Sequence, residues 1–135
     1  MLNVPSTDVI SKGTGENSVI LNGSISNIAS NYYSYAGGYG STASGAVSRA
    51  EGMTTNASGN ASIAEGLGTI ASGNFSHAEG NNTVAEGFSS HAEGSFTKAT
   101  HSNQHVFGCR NILDPSTAPS TERGTYVEIV GNGIS

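Results

Sequence analysis

Charge is scarce in this sequence: 11% of its 135 residues are Asp, Glu, Lys or Arg, none is Trp, and only 35% are hydrophobic. Ordinary globular chains carry about 25% charged and 45–50% apolar residues, so this composition argues against one thick core and against a compact monomeric enzyme. Cysteine occurs once, at Cys109, which excludes an internal disulfide and leaves the redox compartment open. Five basic residues face ten acidic ones, and no Lys/Arg run focuses a positive field, so nucleic acid is not an expected partner. No apolar run approaches the roughly 18 residues of a membrane-spanning helix. Residues 1–12 have neither the basic start nor the apolar stretch of a signal peptide. The expectation is a soluble chain without membrane contact.

What is abundant is glycine, 19 residues of it, and a repeat. Six 14-residue units run without a gap from Ser26 to Cys109: SNIASNYYSYAGGY, GSTASGAVSRAEGM, TTNASGNASIAEGL, GTIASGNFSHAEGN, NTVAEGFSSHAEGS and FTKATHSNQHVFGC. Such a period takes precedence over any residue-by-residue reading. Position 4 is always Ala (Ala29, Ala43, Ala57, Ala71, Ala85, Ala99). Position 11 is Ala in five units (Ala36, Ala50, Ala64, Ala78, Ala92) and Val106 in the last. Gly holds position 13 throughout and position 6 in four units, again seven residues apart. Each unit is therefore two half-repeats, each a short strand and a turn, with Gly expected at the reversal where positive φ is cheap.

Seven residues leave room for a strand of four or five but no useful helix, which predicts an all-β solenoid. Coils stacked about 4.8 Å apart make a rod of about 30 Å. Its core, lined by the two alanine columns, is thin. Burying an Ala methyl contributes about 1 kcal/mol or less, against roughly 1–2 kcal/mol of backbone entropy per ordered residue. Side-by-side association is the natural remedy, and an obligate oligomer follows.

Units of the form xTxASGNxSHAEG resemble the head repeats of YadA-like trimeric adhesins. They resemble still more closely the tail-fibre and neck-appendage proteins of tailed bacteriophages, in which ASGNFSHAEGNNTVAEGFSSHAEG, here residues 71–94, is a recurrent phrase. The resemblance covers 26–109 and extends towards Asn17–Gly23, which looks like a half-repeat with a one-residue insertion. It implies a left-handed parallel β-roll that works as a homotrimer in the virion, contacting other phage tail proteins and a bacterial cell-surface polysaccharide or protein receptor. Residues 1–15 then read as a linker or incoming segment, 16–109 as the roll, and 110–135 as a loop and strand leading to a C-terminal intramolecular chaperone of the self-cleaving peptidase type. Self-cleavage leaving Ser135 as the new terminus is preferred over truncation. A bacterial trimeric autotransporter-type adhesin head, at the cell surface, is the alternative, and a capsule-degrading tailspike fragment the next.

Strand alternation turns positions 10 and 12 to the face opposite Ala at position 11. Position 10 reads Tyr35, Arg49, Ile63, His77, His91, His105, and position 12 reads Gly37, Glu51, Glu65, Glu79, Glu93, Phe107. Interleaving Arg49, His77 and His91 with Glu51, Glu65, Glu79 and Glu93 relieves the repulsion of a bare carboxylate ladder, either as charge balance on one sheet face or as inter-chain hydrogen bonds. Metal binding by His77, His91 and Glu79 or Glu93 is the sharper alternative. His-x-Glu lacks the compact ligand spacing of dedicated zinc sites and no Cys joins it, so no metal or cofactor is assigned.

His101 and His105, in the last irregular unit, are read as ending the roll, and Cys109 as a buried small residue at its exit. The position-2 hydroxyls Ser41, Thr55, Thr69, Thr83 and Thr97 are assigned to turn capping rather than to an ice-binding array. Glu86 and Glu93 are the carboxylates a glycoside hydrolase would need, but no insertion builds a cleft around them, and no catalytic role is assigned. Tyr32, Tyr33, Tyr35 and Tyr39 are the candidates for sugar stacking or partner binding, with end-capping and packing between subunits as the bland reading.

Overall fold

A computed structural model of the chain describes residues 10–21, 26–111 and 113–132. Among these every regular element is a strand, and the strands stack as the coils of a β-solenoid of about six turns.

Each 14-residue unit contributes one short and one long strand. The short ones are β3 (Ile28–Ala29), β5 (Thr42–Ala43), β7 (Asn56–Ala57), β9 (Ile70–Ala71), β11 (Val84–Ala85) and β13 (Lys98–Ala99). The long ones are β4 (Tyr35–Tyr39), β6 (Arg49–Met53), β8 (Ile63–Leu67), β10 (His77–Asn81), β12 (His91–Ser95) and β14 (His105–Cys109). Every strand pairs in parallel with its equivalent one unit later, so Ala78 faces Ala92 and Glu79 faces Glu93. The two halves of the unit are thus unequal, and only the second builds a broad sheet.

That sheet has nine strands. It is extended at one end by β2 (Val19–Leu21), parallel to β4, and by β1 (Ile10–Lys12), which folds back antiparallel on β2. Residues 10–15 therefore belong to the sheet and its turn rather than to a linker; residues 1–9 lie outside the described residues. Val19 pairs with Tyr35, an offset of 16, so the first half-coil carries two extra residues where the sequence suggested one. At the other end β15 (Glu128–Asn132) pairs in parallel with β14, completing the sheet from beyond the repeats. Ser135, the expected cleavage terminus, lies outside the described residues.

The core is half methyl and half hydroxyl. All eleven position-4 and position-11 alanines and Val106 are at most 1% exposed. Beside them lie the buried position-2 residues Ser41, Thr55, Thr69, Thr83 and Thr97 and the position-9 serines Ser34, Ser48, Ser62, Ser76 and Ser90. The position-2 residues thus point inwards with Ala at position 4, as the two-residue period requires; of the column, Thr97 caps a turn, its Oγ1 donating to Glu93 O at 3.0 Å. The serine column is the turn device that sequence reading overlooked. Ser48 Oγ donates to Gly45 O at 2.7 Å, Ser62 Oγ to Gly59 O at 2.7 Å and Ser76 Oγ to Gly73 O at 2.6 Å, closing the same turn coil after coil.

Glycine's two roles divide differently from the sequence expectation. At position 13 Gly adopts positive φ, as at Gly80 (φ 107°). At position 6 it does not; a Cβ on Gly59 would stand 2.0 Å from Gly73 O of the next coil, so the requirement there is close backbone approach. Positive φ falls instead on position 8, in Tyr33, Val47, Ala61, Phe75, Ser89 and Asn103, where a left-handed turn is held by backbone bonds to the preceding coil. Cys109 is exposed, not buried, because position 14 shares the outward parity of positions 10 and 12.

In the last coil Gln104 replaces the column serine and anchors a covering loop. Its Nε2 donates to Asp114 Oδ2 (2.6 Å) and Tyr126 O (2.9 Å), and its Oε1 accepts from the Thr100 and His101 amides. Asp114 also accepts from the amides of Ser116, Thr125 and Tyr126. His101 is buried, with Nε2 2.9 Å from Ala118 O, so it fastens this loop over the end of the roll. Burial alone would raise the Asp114 pKa, but the three amides, with His101 nearby, outweigh it and hold the carboxyl below its usual value.

Two predictions follow from this interior. Thr69 Oγ1 and Thr83 Oγ1 are buried without a hydrogen-bond partner, whereas Thr55 Oγ1 donates to Ser41 Oγ at 2.9 Å. Replacing an orphaned hydroxyl by a methyl of the same shape relieves a desolvation cost of about 1–3 kcal/mol. Thr69→Val is therefore expected to raise the thermal midpoint and Thr55→Val to lower it, measured by thermal denaturation. For the cap, a carboxyl with a depressed folded pKa contributes stability that is complete above about 3.9, the unfolded value, and is lost as pH falls through the folded value. Asp114→Asn should destabilise the fold by about 2 kcal/mol at neutral pH. In urea titrations at stepped pH, the gap between D114N and the unaltered chain should close in acid.

Candidate functional site: a ladder of imidazoles and carboxylates

Parallel pairing in unbroken register places like residues side by side, and on the outer face of the broad sheet this gathers a row of ionisable groups. The rings of His77 and His91 stack with centroids 4.7 Å apart and planes 6° from parallel; His91 and His105 follow at 4.9 Å and 12°. Phe107 closes the row, its ring 5.2 Å from that of His105. Carboxylates run alongside, and two of them, Glu79 and Glu93, are engaged by the imidazole one coil later. His91 Nε2 lies 3.1 Å from Glu79 Oε1, and His105 Nε2 lies 3.2 Å from Glu93 Oε1. These groups are roughly two-fifths exposed, so solvent screens them.

His77 differs from the two imidazoles above it. Glu65, the carboxylate one coil earlier, is taken by Arg49 Nη1 at 3.4 Å, and His77 Nε2 is enclosed without a hydrogen-bond partner. The metal-capable atoms of His77, Glu79 and His91 all lie within 4.8 Å of one another.

Ile63 divides the ladder. On its other side Arg49 binds Glu51 in a short charge-assisted contact, reaches Glu65, and sets its guanidinium 5.7 Å from the Tyr35 ring centroid. Partial burial, then repulsion between phenolate and Glu51, raise the Tyr35 pKa against the opposing pull of Arg49. All seven residues expected in the ladder, Arg49, Glu51, Glu65, His77, Glu79, His91 and Glu93, thus share one face.

The four tyrosines do not form one patch. Tyr32 and Tyr33 meet edge to face at 6.2 Å on one corner of the first coil, while Tyr39 ends β4 and Tyr35 joins the ladder. Tyr32 and Tyr33 lie in the turn, whereas Tyr35 and Tyr39 stand at opposite ends of β4. Exposed apolar side chains continue along the corners, with Val47, Phe75 and Phe88 on the Tyr32–Tyr33 side and Met53 and Leu67 in the column of Tyr39. Phe75 and Phe88 pack edge to face at 5.3 Å. The carboxylates weighed for hydrolysis have separate partners: Glu86 Oε1 meets Lys98 Nζ at 2.8 Å, and Glu93 meets His105. Burial of the Thr column removes the basis for an ice-ordering surface.

Exposed ion pairs contribute about 0–1 kcal/mol. Glu79→Gln is accordingly expected to change the unfolding free energy by less than about 1 kcal/mol in urea titrations, a result that separates this face from the structural interior. In comparisons with known proteins the chain matches no family model, no curated protein and no solved structure.

Proposed function

We propose that this chain is a rod segment of a bacteriophage tail fibre or appendage, a homotrimer that spaces and presents a surface for bacterial cell-wall glycan and performs no chemistry of its own. The observation that carries the reading is the contrast between an interior of alanine, serine and threonine and an exterior with exposed Tyr33, Val47, Phe75, Tyr39, Met53 and Leu67. An interior of methyls and hydroxyls buries little apolar area per ordered residue, and large apolar side chains in rows along a rod are what lateral association would cover. The resemblance of residues 71–94 to phage appendage repeats supplies the biological setting. Three copies side by side would resist shear and repeat any weak glycan contact threefold, raising avidity without a strong single site.

Native mass measurement tests the assembly. The expected result is three times the 13.6 kDa of one chain, and a folded, heat-resistant monomer would overturn the proposal. For the recognition half, the assembled protein should bind host cells or purified wall polysaccharide, and Tyr33→Ala with Tyr39→Ala should weaken that binding. Uniform silence across hosts and glycans would leave the spacer role alone.

A further inference from the structure

We propose that the imidazoles of His77 and His91 together with the Glu79 carboxylate bind one divalent transition-metal ion of the zinc class. The three ligands do not come from one compact loop. His77 and Glu79 lie on β10 and His91 on β12, and the in-register pairing His77↔His91 makes neighbours of residues 14 apart in sequence. Two imidazoles and one carboxylate are a donor set that Zn²⁺ accepts, leaving a fourth position for water or an outside ligand. Imidazole donors also suit Ni²⁺ and Cu²⁺.

The distances fit. Bonds of about 2.0–2.2 Å in tetrahedral geometry place ligand atoms roughly 3.4 Å apart. His91 Nε2 and Glu79 Oε1 already stand at 3.1 Å, and the third donor is within 4.8 Å of both. All three side chains are half-buried on the outer face, and binding requires the rings and the carboxylate to rotate to close the remaining gap. The enclosed, unpartnered Nε2 of His77 is the independent sign. A buried polar atom without a partner carries a desolvation cost, and bringing that imidazole to a cation would remove it. His105 and Glu93 repeat part of the pattern one coil later, yet there each imidazole nearest a carboxylate is already paired.

The test is calorimetric titration of the intact protein with Zn²⁺ at pH 7.5, alongside electron paramagnetic resonance of the Cu²⁺-loaded protein. One ion per chain, nitrogen hyperfine structure from two imidazoles, and a thermal midpoint raised by Zn²⁺ are expected. Loss of an outer hydrogen-bonding partner typically weakens a metal site roughly 10–100-fold, so His77→Gln and His91→Gln, which delete ligands, should lose at least that much affinity. Glu86→Gln, on the other sheet's side of the coil, should bind Zn²⁺ as the unaltered protein does. Circular dichroism checks that each variant is folded, and the resonance spectrum of the unaltered protein stands whatever the variants do. No Zn²⁺ uptake at millimolar concentration, a spectrum without two nitrogens, or a folded His77→Gln variant with unchanged affinity would each overturn the assignment. So would His105→Gln weakening binding as severely as His77→Gln.

Discussion

Parallel pairing at a fixed offset of 14 residues is the constraint on which the rest of this structure depends. Adjacent strands lie about 4.8 Å apart, so whatever occupies a position in one coil must tolerate its own kind that close above and below. Backbone groups satisfy one another between coils, which is why a chain so poor in large apolar residues can order at all. The requirement also explains Gly at position 6, where even one carbon would collide with the carbonyl of the next coil.

The interior follows from the same spacing. Small side chains let the two sheets approach closely, and hydroxyls fill what methyls leave. Such a core gains little from hydrophobic burial and instead relies on repeated, identical hydrogen bonds, of which the serine column is the clearest example. The position-2 column is less uniform: Ser41, Thr55 and Thr97 find hydrogen-bond acceptors, whereas the hydroxyls of Thr69 and Thr83, one coil apart, are both unsatisfied. The ends cannot use the repeat. At one, β1 folds back antiparallel; at the other, Gln104 and Asp114 tie a loop across the opening before β15 resumes the sheet.

Outside, register turns a column of sequence into a row of chemistry. Three imidazoles in a stack with carboxylates beside them are an unusual concentration of titratable groups for a chain with so few charges. Ile63 splits the row into an arginine sector and a histidine sector, so the two halves of the rod carry different surfaces.

The solenoid, its 14-residue coils, the inward alanines and the shared face of the His and Glu columns were legible in the sequence, because a perfect period and two-residue alternation leave a strand little choice. What was not legible was decided through space. Position 8 takes positive φ although Val47 and Phe75 there are poor left-handed residues, because bonds to the neighbouring coil impose it. The hydroxyls of positions 2 and 9 turned out to be core, since composition marks Ser and Thr as surface while the register buries them. The four tyrosines, close in sequence, were divided between the turn at 32–33 and the two ends of β4; which carboxylate each imidazole engages, Glu79 with His91 and Glu93 with His105, was likewise decided by pairing across coils. Period and alternation are properties of the chain itself, but which atoms meet across coils depends on tertiary stacking, and there the chemistry of this rod was settled.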